Sequence, residues 1–500
     1  MLRELEYLKH RYAAILASLG IIFLLSGVLA LTPLLVLLEY PAEGVHLQAF
    51  LLPAVCQLLL GGWLWLMFRS ASGLTLSTGD GGIIVLVSWI AVILFSAWPF
   101  MIVIKLSFSQ AVFESVSGWT TTGLSVVDVS KAGPIILLWR SIIQLAGGAG
   151  LAIIMMSAIM GPTGIGISSA EGRRDQLVPH VRQSARLVLI IYGGYAIAGT
   201  FAYCLAGMTP FDAINHAFAA VSTGGFSTRV DSIGYWNSAS VEAVTLVLMV
   251  LGNMSFVTAW LLWQGKLRLV ARNGEVRLMA VLIPISAAAT FLVTTQALYP
   301  HLGKAVRVGV FETVSALTTT GFSTVGYGNW NAFGVLVMVI LMLIGGGTCS
   351  TAGGIKQFRI YLLWRLLVWE IQRALLPRQA MQERPIWEGE RRVFVDDTRV
   401  KQVAVFIFLY LLTYLTGVLL LCAHGYSLGD SLFEFASALG TVGLSIGVTT
   451  PDMPGLALWS ETIAMFLGRL EFFVIIISAL LLVKDARQAA LLAVKGKVHG

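Results

Sequence analysis

A five-residue pattern that can bind a cation through its backbone occurs four times in this chain. It reads threonine, any residue, glycine, an apolar residue and serine, and its copies occupy residues 121–125, 223–227, 319–323 and 441–445. Glycine tolerates a positive φ, so successive carbonyl groups can turn toward one axis and replace the water around a cation. Four such segments would supply rings of four oxygens. The pattern therefore predicts a path lined by oxygen atoms.

The surroundings of the four motifs are repeated as well. The motif glycines are 102, 96 and 122 residues apart, and each motif lies between two apolar stretches. Three copies carry a Phe-Glu pair ten residues before the glycine, and the glutamates are Glu114, Glu312 and Glu434. We expect these carboxylates to favour the positive end of a short helix, with ion binding as the alternative. The second copy has His216 in this place, and we assign it no catalytic role.

The composition places these motifs in a membrane. Of 500 residues, 57% are hydrophobic and only 12% are charged, which is about half the charged share of a soluble protein. The apolar residues form blocks long enough to cross a hydrocarbon core about 30 Å thick as helices. The blocks are residues 12–38, 44–68, 81–104, 141–170, 187–211, 243–265, 278–303 and 402–429. We therefore predict an all-α polytopic membrane protein that is in contact with lipid.

Each motif follows an apolar segment that is too short to cross the membrane alone. These segments, predicted to be re-entrant half-helices, are residues 109–119, 211–221, 308–317 and 431–439. A repeated unit then consists of a helix, a half-helix, an extended loop and a second helix. Irregular backbone at this depth is tolerated only where it is buried in protein or lines a water-filled path. Four units around a pseudo-fourfold axis would share one such path.

The repeats divide the chain into five parts. We predict an extra N-terminal helix pair at residues 1–75 and pore units at residues 76–175, 176–272, 273–395 and 396–500. The total is ten full spans and four half-spans, with no extramembrane domain of appreciable size. The first apolar block is longer than the apolar region of a signal peptide, so we expect a retained helix.

Lysine and arginine are concentrated in four regions that set the topology. These regions are residues 173–186, 266–277, 359–401 and 484–497. The positive-inside rule places them and the N-terminus in the cytoplasm. The net charge of +7 forms no basic face with interleaved aromatic residues, so we expect no nucleic-acid partner.

Other chemistry finds little support in the sequence. The seven histidines form no HxxxH pair, and the four cysteines lie apart without C-x-x-C spacing, so neither a zinc site nor a disulfide framework is expected. The chain has no phosphate-binding GxxxxGK[ST] pattern. We expect a protein that is not an enzyme and has no covalently bound cofactor.

The third unit contains a glycine-rich loop, residues 345–354, within its second helix. The loop reads GGGTCSTAGG, and five glycines with three hydroxyl side chains do not favour a helix. Its glycines are Gly345, Gly346, Gly347, Gly353 and Gly354. We interpret the loop as a flexible segment that blocks or opens the path below the motifs. A helix kink is the alternative.

Arg469 is a charged residue inside the last apolar stretch, ahead of the uncharged residues 472–483. A charge at this depth is costly and marks a functional site. Glu471 is two residues away and points to another side of the helix. We expect carbonyl groups of the glycine-rich loop to be the partners of Arg469, which would put a fixed positive charge in the path. A salt bridge to another helix is the alternative.

With these features the chain resembles the Trk/Ktr/HKT superfamily of cation transporters, in which one chain carries four non-identical units with one filter glycine each. The extra helix pair and the glycine-rich loop resemble the TrkH branch, and the resemblance covers essentially residues 1–490. It implies that the glycine-rich loop and Arg469 form an intramembrane gate. It also implies an ion filter made of Thr120, Thr121, Thr122, Gly123, Ser222, Thr223, Gly224, Gly225, Thr318, Thr319, Thr320, Gly321, Gly440, Thr441, Val442 and Gly443.

The resemblance also implies a function. In the superfamily, a serine in place of the first filter glycine accompanies sodium conduction, and all four positions are glycine here. The resemblance therefore implies channel-like uptake of K⁺ across the plasma (inner) membrane of a prokaryote. It further implies a homodimer bound to a cytosolic ring of nucleotide-binding subunits similar to TrkA. Sodium transport, coupling to H⁺ or Na⁺, and an alternating-access mechanism are the alternatives.

Overall fold

The structure is a computed structural model that describes residues 2–71, 76–150, 181–377, 383, 385–388 and 391–498. Nearly all of its regular structure is helical, which confirms the predicted fold class. Three sequence predictions fall outside the described residues. They are the end of the span at 141–170, the basic residues Arg173 and Arg174, and the boundary between the first two units.

Two long helices, Leu2–Leu31 and Leu47–Phe68, precede the repeated units. They are joined by the 3₁₀ helices Thr32–Leu38 and Pro41–His46, and a third, Arg69–Ala71, follows them. Their backbones approach closely at two glycines. A Cβ atom on Gly20 would lie 2.9 Å from the Gly61 carbonyl oxygen, and one on Gly61 would lie 2.7 Å from that of Gly20. Small residues at such crossings let membrane helices pack tightly.

Four units follow, each with a long helix, a half-helix and a second helix. The long helices are Thr78–Val103, Val181–Leu205, Gly274–Thr290 and Asp397–Ala423. The third of these continues through the π-helical turn Phe291–Thr295 to Gln296–Leu298. The half-helices are Phe108–Trp119, Pro210–Val221, Leu302–Leu317 and Leu428–Gly440. The second helices begin as Pro134–Ala149, Ala239–Asn253, Ala332–Ile344 and Gly455–Leu470.

Local sequence determines where three of the half-helices begin. The side chains of Ser107, Thr209 and Ser427 each accept a hydrogen bond from the backbone N–H three residues later, as N-cap residues do. The third half-helix has no side-chain cap and begins at Leu302, several residues before its predicted start at residue 308. All four half-helices end directly before or within a predicted filter segment.

The second helices are interrupted in other units besides the third. The second helix of unit 2 turns by 115° between Asn253 and Phe256, and that of unit 4 turns by 100° at Glu471. The predictions of continuous spans at residues 243–265 and through Arg469 are therefore wrong. Extended backbone after Asn253 and a φ of 61° at Glu471 end the helical hydrogen bonding there. In unit 1, the helix ends at Gly150 with a φ of 66°.

Within the described residues, six helices are long and apolar enough to cross a membrane, and each of the two bent pairs can form one more span. Two shorter apolar helices, Pro134–Ala149 and Ala332–Ile344, begin the remaining two predicted spans. The described part of the chain is thus compatible with ten spans.

Beyond the interruptions, the chain continues as Phe256–Trp263, Leu267–Val270, Gln357–Leu375 and Phe472–Val498. A further 3₁₀ helix, Ser232–Trp236, follows the second motif. The connection between units 3 and 4 holds an antiparallel hairpin of two strands, Pro385–Glu388 and Arg391–Phe394. Ile386 of this hairpin packs with Leu362, Trp369 and Val403, so the hairpin is attached to the helices. The sequence analysis did not predict these strands.

Candidate ion-binding path

The four motif loops share one backbone conformation. In each loop a residue with a φ between 49° and 55° is followed, two residues later, by the motif glycine with a φ between 72° and 97°. The first set is Thr121, Thr223, Thr319 and Thr441, and the glycines are Gly123, Gly225, Gly321 and Gly443. A positive φ is rare for a β-branched residue. Its occurrence at four equivalent threonines indicates that the surrounding structure holds each loop in place.

Each motif glycine packs against the backbone of the next unit. The Cβ atoms that glycine lacks would collide with the carbonyl groups of Gly224 (from Gly123), Thr320 (from Gly225), Val442 (from Gly321) and Thr122 (from Gly443). These contacts lead from unit 1 through units 2, 3 and 4 back to unit 1, so the loops form a closed ring around one axis. The structure thus brings together the four predicted filter segments, 120–123, 222–225, 318–321 and 440–443.

A serine in the half-helix supports the ring from behind in three units. The hydroxyl of Ser117 accepts a hydrogen bond from the N–H of Gly123 at 3.0 Å, and that of Ser437 accepts one from Gly443 at 2.9 Å. Ser315 donates to the carbonyl just after the third motif glycine at 2.6 Å. The sequence analysis missed these serines, although each stands six residues before a motif glycine.

The three glutamates are buried in the middle of the half-helices, so the expectation that they stabilise the positive helix ends is wrong. Each carboxylate instead binds the chain that leaves the ring. Glu312 accepts hydrogen bonds from the N–H and hydroxyl of Thr324, at 2.8 and 2.7 Å, and from the Tyr327 hydroxyl. Glu114 and Glu434 accept from a serine hydroxyl and a backbone N–H eleven and twelve residues later.

In unit 2, neutral side chains hold the motif loop and the chain that leaves the ring. A carbonyl can only accept, so the Nδ1–H of His216 donates to the Asp212 carbonyl at 2.8 Å. The other ring nitrogen, Nε2, therefore accepts a hydrogen bond from the Ser227 hydroxyl at 2.8 Å. The serine behind the ring is absent here, and Gln144 of unit 1 accepts a hydrogen bond from the N–H of Phe226 at 3.2 Å. Unit 2 is thus held partly by its neighbour.

Arg140 connects units 1 and 2 from a buried position that the sequence analysis did not single out. Its Nε lies 2.7 Å from the Glu114 carboxylate, and its guanidinium donates to the Ser227 carbonyl at 3.2 Å. The guanidinium carbon also lies 3.9 Å from the centre of the Phe226 ring, a cation–π distance. A lone arginine in an otherwise uncharged helix was the available signal for this role.

A cavity of about 530 Å³ opens on one side of the ring and is lined by the motif glycines and the residues that follow them. We call it the vestibule. Its wall includes Arg140, Arg229, Asp128 and Asp231. Arg229 forms an ion pair with Asp212 at 2.8 Å, as Arg140 does with its own carboxylate, so both positive charges are compensated. The vestibule therefore borders the ring without an uncompensated arginine charge.

The glycine-rich loop lies against the opposite side of the ring. The N–H of Gly353 donates to the hydroxyl of Thr319 at 2.8 Å, and the hydroxyl of Thr223 lies 3.1 Å from that of Thr351. The Thr121 hydroxyl donates to the Thr351 carbonyl at 3.4 Å. The loop therefore contacts the positive-φ threonines of three units and lies across any path that continues through the ring.

The base of the glycine-rich loop is closed by its own backbone. Gly346 N–H donates to the Gly353 carbonyl at 3.0 Å. Gly345 and Gly354 pack against each other so closely that a Cβ atom on either would lie 2.6 Å from the Cα of the other. Four of the five predicted gate glycines thus meet at the base of one compact turn.

Two buried residues outside the loop, one in unit 2 and one in the long helix of unit 3, hold this turn in place. The N–H of Gly347 donates to the backbone carbonyl of Asn253 at 3.2 Å, where the second helix of unit 2 is interrupted. The N–H of Thr348 donates to the Glu275 carboxylate at 2.7 Å. The sequence analysis missed both residues, because nothing in the local pattern links them to a loop about 70 to 95 residues away.

Arg469 contacts the same loop through carbonyl groups. Its guanidinium donates to the Thr351 carbonyl and to the carbonyls of Gly147 and Gly148, at 3.0 and 3.3 Å. The latter two belong to the end of the second helix of unit 1, where exposed carbonyl groups favour a positive charge. Glu471 instead forms an ion pair with Arg359 at 2.8 Å. Arg469 therefore joins units 1, 3 and 4 on the far side of the ring.

Comparisons with known proteins agree with this architecture. The family model TrkH, described as "Cation transport protein", matches residues 46–488. The Trk system potassium uptake protein TrkG of Escherichia coli is 32% identical over 473 residues, which are 92% of this chain and 96% of that protein. An uncharacterised cation transporter of Methanocaldococcus jannaschii is 29% identical over 96% of this chain and 98% of its own length.

A solved structure is similar as well. The crystal structure of the potassium transporter TrkH from Vibrio parahaemolyticus aligns with a TM-score of 0.80 and 29% sequence identity. The alignment covers 93% of this chain and 98% of that one.

The buried pair of Arg140 and Glu114 leads to a stability prediction. Arg140→Ala leaves a buried carboxylate without its cation, which costs about 3–5 kcal/mol, so the protein should unfold at a markedly lower temperature. Lys131→Ala is the matched control in the same unit, because Lys131 pairs with Asp128 on the exposed surface. Thermal unfolding of the purified variants is the measurement. Equal midpoints for the two single variants, or no recovery in Glu114→Gln/Arg140→Ala, would contradict this role.

Proposed function

The chain belongs to the TrkH family of cation transport proteins, and from this premise we propose that it takes up potassium through the ring of four loops. The observation that carries the proposal is the closed ring, in which four backbone segments of one chain approach so closely that only glycine fits between them. Backbone carbonyl groups in such rings replace the hydration shell of a cation. Relatives named as potassium uptake proteins and glycine at all four motif positions support K⁺ as the ion.

In the proposed mechanism, a hydrated ion enters the vestibule and loses water to the carbonyl groups of the ring. It then meets the glycine-rich loop and the positive charge of Arg469. Both raise the barrier, since the loop fills the path and the guanidinium repels a cation. A shift of the interrupted second helix of unit 3 would withdraw the loop, because the two are one continuous segment. The ion crosses without bond making or breaking, so the proposal makes the chain a transporter and not an enzyme.

The proposed setting follows from the charges. We place the chain in the inner membrane of a prokaryote with its N-terminus and basic clusters in the cytoplasm. The vestibule then faces outward, and the glycine-rich loop lies on the cytoplasmic side of the ring. Uptake would be driven by the membrane potential, which is worth about 2.3 kcal/mol per charge at 100 mV.

An alternating-access carrier is the second candidate, because interrupted helices at mid-membrane depth also occur in such transporters. The closed fourfold ring favours a pore, since rocking of one half of the protein would have to break the contacts between the units. The rate at which a single protein molecule transports ions distinguishes a pore from a carrier. A rate far above that of a carrier supports the pore.

Uptake of ⁸⁶Rb⁺ or K⁺ by proteoliposomes, with Na⁺ as competitor, tests the function and its filter together. Gly443→Ala places a methyl group against the Thr122 carbonyl and should reduce uptake and the discrimination against Na⁺ severalfold. Gly425→Ala is the matched control in the same unit, because Gly425 has a similar φ of 91° but no atom within 4 Å of the missing Cβ.

If Gly443→Ala and Gly425→Ala change the K⁺/Na⁺ selectivity equally, the assignment of the ring as an ion filter is wrong. If the wild-type protein carries Na⁺ in preference to K⁺, the fold assignment stands but the proposed transported ion is wrong.

The gate has its own prediction. Deletion of residues 346–353, or Arg469→Ala, should raise basal flux roughly tenfold for each 1.4 kcal/mol by which the barrier falls. Selectivity should be retained because the ring is unchanged. Arg469→Lys keeps the charge but not the fork of donors, so flux between that of wild type and Arg469→Ala is expected. A folded deletion variant that conducts no faster than wild type would show that the loop is not a barrier.

We also propose a homodimer and a cytosolic ring of nucleotide-binding subunits as partners. The connection between units 3 and 4 carries exposed basic residues, among them Arg373 and Arg392, while Arg378 and Arg384 lie outside the described residues. A positive surface of this kind suits an acidic docking partner. Its charges are also explained by topology alone, so the partner needs an experiment of its own.

Gentle purification from native membranes should recover a nucleotide-binding protein in a complex that dissociates at high salt. Arg373→Glu/Arg392→Glu should weaken its recovery, whereas Lys131→Glu, on the vestibule side, should not. A fully nucleotide-regulated flux from the chain alone would rule out a required partner.

A further inference from the structure

A second buried carboxyl group faces the glutamate of unit 4. Glu434 in the half-helix and Glu461 in the second helix are both fully buried. The hydroxyl oxygen of Thr449 lies 2.5 Å from Oε1 of Glu434 and 3.0 Å from Oε2 of Glu461. The proposed conduction mechanism does not use Glu461, so the pair needs a separate explanation.

The equivalent place in unit 1 holds a cation. Arg140 is the seventh residue of Pro134–Ala149, and Glu461 is the seventh residue of Gly455–Leu470. Arg140 neutralises Glu114 at 2.7 Å, whereas no lysine or arginine among the described residues forms an ion pair with either carboxyl group of unit 4. Two ionised carboxylates cannot share a buried site without a cation, so one of them is neutral.

Counting hydrogen-bond donors shows which one is neutral. Glu434 accepts hydrogen bonds from the Ser445 hydroxyl, from the N–H groups of Ile446 and Thr449, and from the Thr449 hydroxyl. An acceptor of four donors is an ionised carboxylate. The Thr449 hydroxyl has a single hydrogen, which it gives to Glu434. Because that hydrogen is directed to Glu434, the contact of 3.0 Å between the Thr449 hydroxyl and Glu461 requires a hydrogen on Glu461.

The second oxygen of Glu461 also indicates that this side chain is neutral. Oε1 is buried and has no hydrogen-bond partner among the described residues. The carbonyl oxygen of a neutral acid can be left unpaired at moderate cost, whereas the oxygen of a buried carboxylate cannot, because a charge loses far more solvation.

We propose that Glu461 is a proton-binding site that holds a resident proton behind the filter loop of unit 4. The proton sits on Oε2 and is donated to Thr449, whose own hydrogen is donated to ionised Glu434. No bond other than O–H is made or broken when the proton enters or leaves. Ser445 donates to Glu434 and lines the vestibule, so a chain of hydrogen-bonding groups leads from the vestibule to the site.

Loss of this proton would disturb the filter. Two ionised carboxylates would then compete for the one hydroxyl of Thr449, and their repulsion would weaken the hold of Glu434 on Ser445 and Ile446, which follow Gly443. We therefore expect discrimination between K⁺ and Na⁺ to fall reversibly as the vestibule side is made alkaline. This consequence rests on the proposed function, whereas the resident proton does not.

Other charges around the pair are compensated or distant. Tyr426 is a further titratable side chain that interacts electrostatically with both carboxyl groups. Glu114 on the neighbouring half-helix is paired with Arg140, and Arg469 is eight residues along the helix from Glu461, about 12 Å. The remaining charged residues of the adjoining helices are Asp397, Arg399, Lys401 and Asp430 near helix N-termini, and Lys484, Asp485, Arg487, Lys495 and Lys497 from the middle of Phe472–Val498 onward.

Infrared spectroscopy of the whole protein in lipid tests the proton directly. At neutral pH, wild type should show the C=O stretching band of a protonated carboxylic acid, and the band should be lost in Glu461→Gln. Glu242→Gln is the control, because Glu242 is buried but paired with Arg307 at 3.1 Å, and it should keep the band. If Glu461→Gln does not fold, Thr449→Val should shift the band, because the acid loses its acceptor.

A spectrum with no such band, or a band unaffected by both unit 4 variants, would overturn the proposal. A band that vanishes whenever Na⁺ is present would also overturn it, since the site would then hold a metal cation.

A separate flux measurement tests the expected consequence for the filter. Selectivity that declines with alkaline pH in wild type but not in Glu461→Gln supports the consequence for the filter, and equal decline in both contradicts it. Absence of K⁺ uptake with the band intact would defeat the proposed function alone.

Discussion

The rest of the structure depends on the contacts between backbone segments in the ring. Four glycines of one chain each touch a carbonyl group of the next unit, and the last touches the first. A side chain of any size would separate two units at that point, so the pseudo-fourfold arrangement and the positions of the carbonyl oxygens are set by the same constraint. The strained φ of the four threonines is tolerated because every unit is braced by its neighbours.

The chain that leaves the ring is held by buried polar groups, and the four units solve this problem differently. Glu114 is neutralised by an arginine, Glu312 is bound by a tyrosine and a threonine, and a neutral histidine replaces the carboxylate in unit 2. Unit 4 has a second carboxyl group where unit 1 has Arg140. Burial of charge in a membrane is costly, and each arrangement satisfies the carboxylate by a different means. The four units therefore have the same backbone arrangement but hold it with different side chains.

Below the ring, the ends of the second helices make room for the glycine-rich loop and Arg469, which form the proposed barrier. The interruption in unit 3 supplies the glycine-rich loop, and the helix ends at Ala149 and Asn253 supply carbonyl groups that bind Arg469 and the loop. A helix that ended elsewhere would leave these carbonyl groups bonded within the helix. The proposed barrier thus contains elements from all four units, and its position depends on where each helix stops.

The sequence by itself determined the membrane character, the repeated helix pattern, the half-helices, the four motif loops and the glycine-rich loop, because these depend on apolar length and on a local pattern that is repeated. It could not determine that the second helices of units 2 and 4 are interrupted, since extended backbone after Asn253 and the positive φ of Glu471 are imposed by packing against other units. The pairing of Arg140 with Glu114, the hold of Glu275 on the loop and the contact of Glu461 with Thr449 were equally out of reach. Each joins residues on separate elements, so only the tertiary structure, which decides the facing sides of helices, could bring them together.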